Sequence, residues 1–134
     1  MGTIELIGNL SVKFGREVYK NSFETIYMSY LNNTAAAVRE TGILQAQYMG
    51  QKFGADWIIS NYLPKLVENY NIDKQPYNYR MCCLNSMASM MPLLRGDMIS
   101  EFIVPTLVAG LQDKVPNVQF AASKIIRKHR QRFD

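Results

Sequence analysis

The sequence predicts an all-α protein, an α–α superhelix of antiparallel helix pairs that recur about every 40 residues. Pro64 lies in the middle of an otherwise amphipathic helix, and Pro105 lies in the equivalent place 41 residues later. Single glycines punctuate the chain at Gly15, Gly54 and Gly96, in steps of 39 and 42 residues. Two kinds of helix interruption therefore recur in the same register, which indicates a structural repeat.

The composition is that of a packed chain rather than a disordered one. Of the 134 residues, 48% are hydrophobic and 19% are charged, and the formal net charge is +4. A mild positive excess permits an acidic partner without requiring one. Cys82 and Cys83 are adjacent, have no metal-type spacing and cannot easily pair with each other on one helix. We interpret them as reduced core residues of an intracellular protein, cytoplasmic or also nuclear.

The first three helices are predicted from apolar residues at helical spacing. Residues 4–14 form the last helix of one repeat, and Gly15 ends that helix. The first complete pair covers residues 20–52, and Asn21–Glu24 resembles a capping box at its start, in which Glu24 reaches back to the first turn. Residues 32–34 then form a turn and the N-cap of the next helix.

Two further helix pairs are predicted at residues 55–94 and 97–132. The first helix of each pair contains one of the two prolines, and a proline inside a helix costs about 3 kcal/mol because it removes a hydrogen bond and clashes with the preceding turn. Residues 72–77 form the loop inside one pair, and a turn around Pro116 forms the loop inside the other.

Each predicted pair has an apolar side too large to bury alone, so neighbouring pairs must stack. Terminal repeats normally carry a polar cap, but Leu6 lies near one end of the chain and Ile125 and Ile126 lie near the other. We therefore expect the chain to begin and end inside a longer array. Exposed apolar end faces and weak self-association would result.

Catalytic chemistry is not expected from these residues, so the protein is predicted not to be an enzyme and to need no cofactor or metal. His129 is the single histidine and lies in a basic tail without a partner for acid–base chemistry. Asp97 and Glu101 are four residues apart at a helix start, where two carboxylates could bind a metal or exchange protons. Their position is better explained by the positive end of the helix dipole.

Some residues suit either packing or binding. Trp57 is interpreted as the packing anchor of its helix, although an exposed tryptophan would be an interface hot spot. A stripe of methionines is assigned to the core, although methionines also form adaptable binding surfaces. The stripe consists of Met81, Met87, Met90 and Met91.

The arginines also allow two interpretations. Arg39 and Arg80 lie at matching places near the starts of two second helices, and we interpret them as a structural ladder of hydrogen bonds to the adjoining turns, with partner contact as the alternative. The basic cluster near the C-terminus is interpreted as a solvated helix end, because a nucleic-acid site usually needs aromatic residues as well and only Phe133 is nearby. The cluster consists of Lys124, Arg127, Lys128, Arg130 and Arg132.

Several motifs resemble a known family. Ala-Val-Arg-Glu-Thr-Gly (37–42) resembles the opening of the second helix of a HEAT repeat. Five further segments, in their order and spacing, are similar to the C-terminal repeats of the HEAT-repeat scaffolding A subunits of protein phosphatase 2A. The HEAT regulatory subunits of protein phosphatase 4 share much of this pattern. The segments are Gln-Lys-Phe-Gly-Ala-Asp-Trp (51–57), Leu-Pro-Lys-Leu (63–66), Tyr-Arg-Met (79–81), Val-Pro-Thr-Leu (104–107) and Asp-Lys-Val-Pro-Asn-Val-Gln-Phe-Ala-Ala-Ser-Lys (113–124).

The resemblance, which covers about residues 5–127, implies a non-catalytic scaffold. Such a scaffold binds a serine/threonine phosphatase catalytic subunit through the loops inside its repeats, here residues 32–36, 75–80 and 114–117, and a variable regulatory subunit through repeats outside this chain. No nucleic-acid or membrane partner is implied. Ala36 and Gln119 depart from the family pattern, which has a larger side chain and an arginine there. The partner-binding residues that the resemblance implies are Asn33, Ala36, Tyr77, Asn78, Arg80, Lys114, Val115, Pro116 and Asn117.

The alternative function is a HEAT-type transport or nucleic-acid-associated binding module that uses the basic C-terminal helix. Steep salt dependence of binding to a polyanion would support this alternative, because neutralising phosphates releases counterions.

Overall fold

A computed structural model of the chain describes residues 2–33, 35–70 and 73–132, with side chains from Glu5 onward. Every regular element in those ranges is helical, which confirms the all-α class. The odd-numbered helices are α1 (Gly2–Phe14), α3 (Ala36–Phe53), α5 (Tyr77–Met90) and α7 (Pro116–His129). The even-numbered helices α2, α4 and α6 are interrupted and comprise residues 16–31, 55–69 and 96–111. Short 3₁₀ turns at Met91–Leu93 and Arg130–Arg132 extend α5 and α7.

The interruptions of α2 and α4 are π-helical turns that lie 39 residues apart. They span Tyr19–Phe23 in α2 and Ile58–Tyr62 in α4. In α4 the turn directly precedes the segment that contains Pro64, which has no N–H to donate. The wider turn accommodates that missing hydrogen bond. Because α2 has the same turn without a proline, a proline is not required for this interruption.

The second proline occupies the matching place in α6. That helix breaks at Ile103, between Gly96–Phe102 and Val104–Leu111. Pro105 is the second residue after the break, just as Pro64 is the second residue of Leu63–Asn69. The two prolines therefore occupy equivalent positions in the structure, as the sequence indicates.

The start of α2 differs from the sequence prediction. The helix begins at Arg16, and Asn21 lies inside the π-helical turn, so the predicted capping box is wrong. Glu24 does not reach back to a free helix end. It is buried instead, 3.7 Å from the ammonium of Lys20 and 3.9 Å from that of Lys65.

Two of the three punctuating glycines share one unusual backbone conformation. Gly15 has φ 100° and ψ 171°, and Gly54 has φ 94° and ψ 172°. Residues with a side chain rarely adopt these angles, so glycine is required where one helix ends and the next begins. The prediction for Gly96 is wrong, because Gly96 is the first residue of α6 and Arg95 occupies the joint with an ordinary extended backbone.

The helices form two layers. In one layer α1 contacts α3, α3 contacts α5 and α5 contacts α7. In the other layer α2, α4 and α6 each pack on the odd-numbered helix that follows them in sequence. Each helix pair therefore contacts chiefly its sequence neighbours, which is how a stack of repeats buries its apolar faces.

The core lies between the two layers. Trp57 is 1% exposed, and its ring lies 5.1 Å from the ring of Phe53, 5.6 Å from that of Tyr19 and 5.5 Å from that of Tyr62. The packing role predicted for Trp57 is confirmed. The methionine stripe is also in the core, except for Met81, which is half-buried at the surface.

The cysteines are buried and unpaired, as predicted. Burial raises the pKa of the Cys82 thiol to about 11 and also raises that of Cys83, so both thiols are protonated near neutral pH. Within the described ranges, no helix combines the length and the apolar character needed to cross a bilayer. No cluster of three or more potential metal ligands among His, Cys, Asp and Glu occurs in those same ranges.

Candidate protein-interaction surface

The loop inside each helix pair is anchored by a side chain of the helix that follows it. The anchoring residues lie 41 and 39 residues apart, and each donates a hydrogen bond to a backbone carbonyl of its own loop. The third anchor, a glutamine where the resemblance implies an arginine, keeps this bond. The three pairs are Arg39 with Asn33 (2.7 Å), Arg80 with Gln75 (2.6 Å) and Gln119 with Asp113.

Arg80 also ties its helix to the loop of the next pair. Its Nε and Nη2 atoms donate to Oδ2 and Oδ1 of Asp113, both at 2.8 Å. The Tyr70 hydroxyl donates to Oδ2 at 2.7 Å, and the backbone N–H of Val115 donates to Oδ1 at 2.9 Å. Burial alone would raise the pKa of Asp113, but the hydrogen bonds from Arg80, Tyr70 and Val115 lower it to about 2. The structural role predicted for Arg80 is confirmed.

Asn33 makes one of the contacts that Asp113 makes, a hydrogen bond to the backbone two residues later in its loop. Its Oδ1 atom accepts a hydrogen bond from the backbone N–H of Ala35 at 2.9 Å, which matches the bond from Val115 to Asp113. Ala35 itself is the N-cap residue of α3 and makes no side-chain cap. The N-cap predicted at residues 32–34 is therefore wrong in its position, and Thr34 lies outside the described residues.

The predicted partner-binding residues lie where α3, α5 and α7 begin. Ala36 and Asn78 line one cavity of about 130 Å³, which places the starts of α3 and α5 side by side. Tyr77 is 41% exposed. Arg80 is the exception at 2% exposure, because its guanidinium points inward to Asp113. The exposed or half-buried members, called the loop ridge below, are Asn33, Ala36, Tyr77, Asn78, Lys114, Val115, Pro116 and Asn117.

A surface groove of about 630 Å³ lies between α5 and α7. Its apolar lining includes Met81, Ala88 and Ile125, and Phe120 beside them is 62% exposed. This groove was not predicted from the sequence. The signal that could have found it is the four-residue spacing of Phe120, Lys124 and Lys128 on a predicted helix, which puts those side chains on one face.

The residues considered for catalysis are dispersed. Asp97 is exposed and pairs with Arg95 at 3.2 Å, and that contact lowers the pKa of Asp97. His129 is half-buried in the wall of the groove, where burial and the charges of Lys128 and Arg132 lower its pKa. Glu101, one helical turn after Asp97 on α6, is also exposed.

One member of the basic cluster has a structural contact that was not predicted from the sequence. The Nη2 atom of Arg132 donates to the carbonyl oxygens of Met91 at 3.0 Å and Leu94 at 2.9 Å. Arg132 therefore caps the C-terminal end of α5, where carbonyl groups lack helical partners. Lys124, Arg127 and Lys128 remain exposed, as predicted for a solvated helix end.

Comparison of the sequence with known protein-family models and with curated proteins finds no match. The loop ridge and the groove are therefore the two features of the molecule from which a function can be inferred.

Proposed function

We propose that the chain is a non-catalytic HEAT-repeat scaffold that binds a serine/threonine phosphatase catalytic subunit along the loop ridge. The fold name and the class of partner come from the resemblance of its motifs to the phosphatase 2A scaffolding subunits. The observation that carries the proposal is the recurrence of the anchoring hydrogen bond in all three loops. Loops held alike along one edge would form an extended surface for a single partner.

The chemistry of the loop ridge supports a protein partner. Tyr77 supplies an exposed aromatic ring, Val115 supplies an aliphatic contact, and Asn78 and Asn117 supply amides that both donate and accept hydrogen bonds. Protein interfaces are enriched in aromatic residues and combine apolar contacts with a limited number of hydrogen bonds. The ridge has this mixture.

Anchoring of the loops favours binding through entropy. A loop that is already held by its own hydrogen bonds loses less conformational freedom when a partner docks. Arg80 contributes in this indirect way, since it holds the carbonyl of Gln75 and the carboxylate of Asp113 and does not itself present a contact surface.

The test is binding of the chain to purified phosphatase 2A and phosphatase 4 catalytic subunits, measured side by side by biolayer interferometry. A double variant, Tyr77→Ala with Val115→Asp, removes the aromatic and the aliphatic contact. The matched control combines Phe14→Ala with Val67→Asp, which change an exposed aromatic and an exposed aliphatic residue away from the ridge. Thermal melting of each variant separates loss of binding from loss of fold.

We expect one of the two catalytic subunits to bind, the ridge variant to abolish that binding and the control variant to retain it. Absence of binding to both subunits, or binding that the ridge variant leaves intact, would overturn the proposal. Oligonucleotide binding with a steep salt dependence would instead favour the transport or nucleic-acid alternative.

A further inference from the structure

We propose that the groove between α5 and α7 binds an acidic protein segment that carries at least one apolar side chain. This site is separate from the loop ridge, with which it shares only Asn117. The proposal does not depend on a phosphatase partner. It rests on the shape, the lining and the charge of the groove.

The groove has the dimensions of a peptide site. Its wall on α5 extends from Met81 to Pro92, which corresponds to roughly 17 Å at helical and 3₁₀ rise. That length matches about three turns of a helix or a short extended segment. The volume of about 630 Å³ is within the range of ligand-binding clefts.

The lining of the groove includes an apolar side chain that the fold leaves exposed. Phe120 is 62% exposed although Met81, Ala88 and Ile125 line the groove beside it. Aromatic side chains in a concave setting supply a large share of binding energy at protein interfaces. An apolar side chain of a partner would cover Phe120 and remove both surfaces from water.

The rim of the groove is positive. Lys124 and Lys128 both line it, one helical turn apart on α7, and both are exposed. Within the described residues, neither lysine forms an ion pair. No Asp or Glu is among the described residues that line the groove. Carboxylates of a partner would therefore meet a complementary potential.

Polar groups in the same lining suit a polypeptide backbone. Asn85 on α5 and Asn117 on α7 are exposed and line opposite walls. An asparagine amide both donates and accepts, so it can pair with the N–H and C=O groups of an extended segment. Gln47 of α3 adds a further amide to the lining.

A peptide fits these features better than a nucleic acid or a membrane does. Single-stranded nucleic acid needs several stacking rings along a basic track, whereas the groove offers Phe120 alone and two lysines. A lipid surface is flat and would be met by a convex amphipathic helix. A groove lined by an exposed aromatic ring and two lysines suits a single segment of acidic and apolar residues.

The experiment is selection of a displayed library of random peptides, each about twelve residues long, which is enough to span the groove in either a helical or an extended conformation. A recovered peptide is then labelled with fluorescein and titrated against the full chain and its variants by fluorescence anisotropy. Phe120→Ser removes the exposed aromatic ring of the groove. Lys124→Glu with Lys128→Glu reverses its two positive charges. The matched controls are Phe14→Ser, a phenylalanine 58% exposed on α1, and Lys13→Glu with Arg127→Glu, which change the same net charge outside the groove lining.

We expect the recovered peptides to be net acidic and to contain an aliphatic or aromatic residue. Each groove variant should weaken binding about tenfold or more, and the control variants should change it little. Failure to recover peptides, recovery of basic or wholly polar peptides, or equal binding by groove and control variants would overturn the proposal. Tighter, groove-dependent binding of a labelled oligothymidine would also overturn it, in favour of nucleic acid.

Discussion

Arg80 of α5 and Asp113 of the loop before α7 form a buried ion pair through two hydrogen bonds, both 2.8 Å long. The pair joins residues 33 positions apart in two successive helix pairs. Because Arg80 also donates to the carbonyl of Gln75, a single guanidinium fixes the loop of its own pair and the loop of the next. The guanidinium therefore links two neighbouring helix pairs, alongside the direct packing of α5 on α7.

Removal of the carboxylate should destabilise the protein strongly. Asp113→Ala leaves the Arg80 charge buried without its partner, and the loss of one member of a buried ion pair costs about 3 kcal/mol or more. Urea unfolding followed by circular dichroism measures this cost. Asp97→Ala, which breaks the exposed pair with Arg95 at a helix start, is the control and should lower the midpoint only slightly. Equal midpoints for both variants would contradict the role assigned to Asp113.

The same carboxylate should make stability depend on acid pH. The pKa of Asp113 falls from an ordinary value of 3.8 to about 2 in the folded protein. The unfolded chain therefore binds the proton first, so stability falls as the pH falls. The contribution, about 2 kcal/mol, is complete above about pH 5 and is lost as the pH falls to about 2.

Urea midpoints of the parent and of Asp113→Asn measured between pH 2 and pH 6 test this dependence. The variant should be less stable at pH 6, and the two curves should converge toward pH 2. Glu68→Gln removes an exposed carboxylate and should give a curve parallel to that of the parent. A constant gap between the parent and Asp113→Asn would show that the charge of Asp113 is not the cause.

The joints before α2 and α4 should tolerate only glycine. A Cβ added at Gly15 or Gly54 would meet no atom within 4 Å, so the cost of an alanine there is purely one of backbone conformation. That cost is about 1–3 kcal/mol. Thermal or urea unfolding of Gly54→Ala measures it. Gly96→Ala should be neutral or slightly stabilising, because Gly96 lies at a helix start without a positive φ.

Two buried tyrosines should respond oppositely to loss of the hydroxyl. Tyr27 donates to the carbonyl of Gly42 at 2.6 Å and lies 3.1 Å from the hydroxyl of Tyr62, so Tyr27→Phe should lower the free energy of unfolding by about 1–2 kcal/mol. The Tyr19 hydroxyl is buried with no hydrogen-bond partner in the structure. Tyr19→Phe should therefore raise the free energy of unfolding, by about 1 kcal/mol.

Chemical denaturation of the two tyrosine variants and of the parent measures whether each change lowers or raises the free energy of unfolding. The rings remain in place in both variants, so the change in apolar burial is nearly the same and the difference reports the hydroxyl. Destabilisation by Tyr19→Phe would indicate that a buried water completes the hydrogen bonding of that hydroxyl.

The helices and their interruptions could be predicted because they depend on local sequence. The periodic apolar residues place the helices to within a few residues, and Pro64 and Pro105 mark equivalent breaks. Two local sequence signals gave wrong predictions of helix starts. Asn21–Glu24 has the composition of a capping box, but a helix already begins at Arg16 and packing of the repeat overrides the signal. Gly96 matched the glycine spacing, but the joint lies one residue earlier.

Most of the candidate surface could also be placed from the sequence, since Tyr77, Asn78 and residues 114–117 lie where the predicted loops meet the predicted helices. The position of Arg80 near a helix start could be predicted from the sequence, but the direction of its side chain could not. Its inward orientation depends on Asp113, which is distant in sequence and close only when two repeats pack. The groove was missed for the same reason, because its two walls come from different helix pairs.

By itself the sequence determined the helical class, the interval of the repeat and the helix joints at Gly15 and Gly54, because these depend on residue type at the joint and on apolar periodicity within one helix. Only the tertiary structure decided which polar groups are buried and paired, which are buried and unpaired, and where a concave surface lies. Those properties depend on contacts between residues about 30 to 40 positions apart, as between Arg80 and Asp113 or between the walls of the groove. No local pattern specifies them.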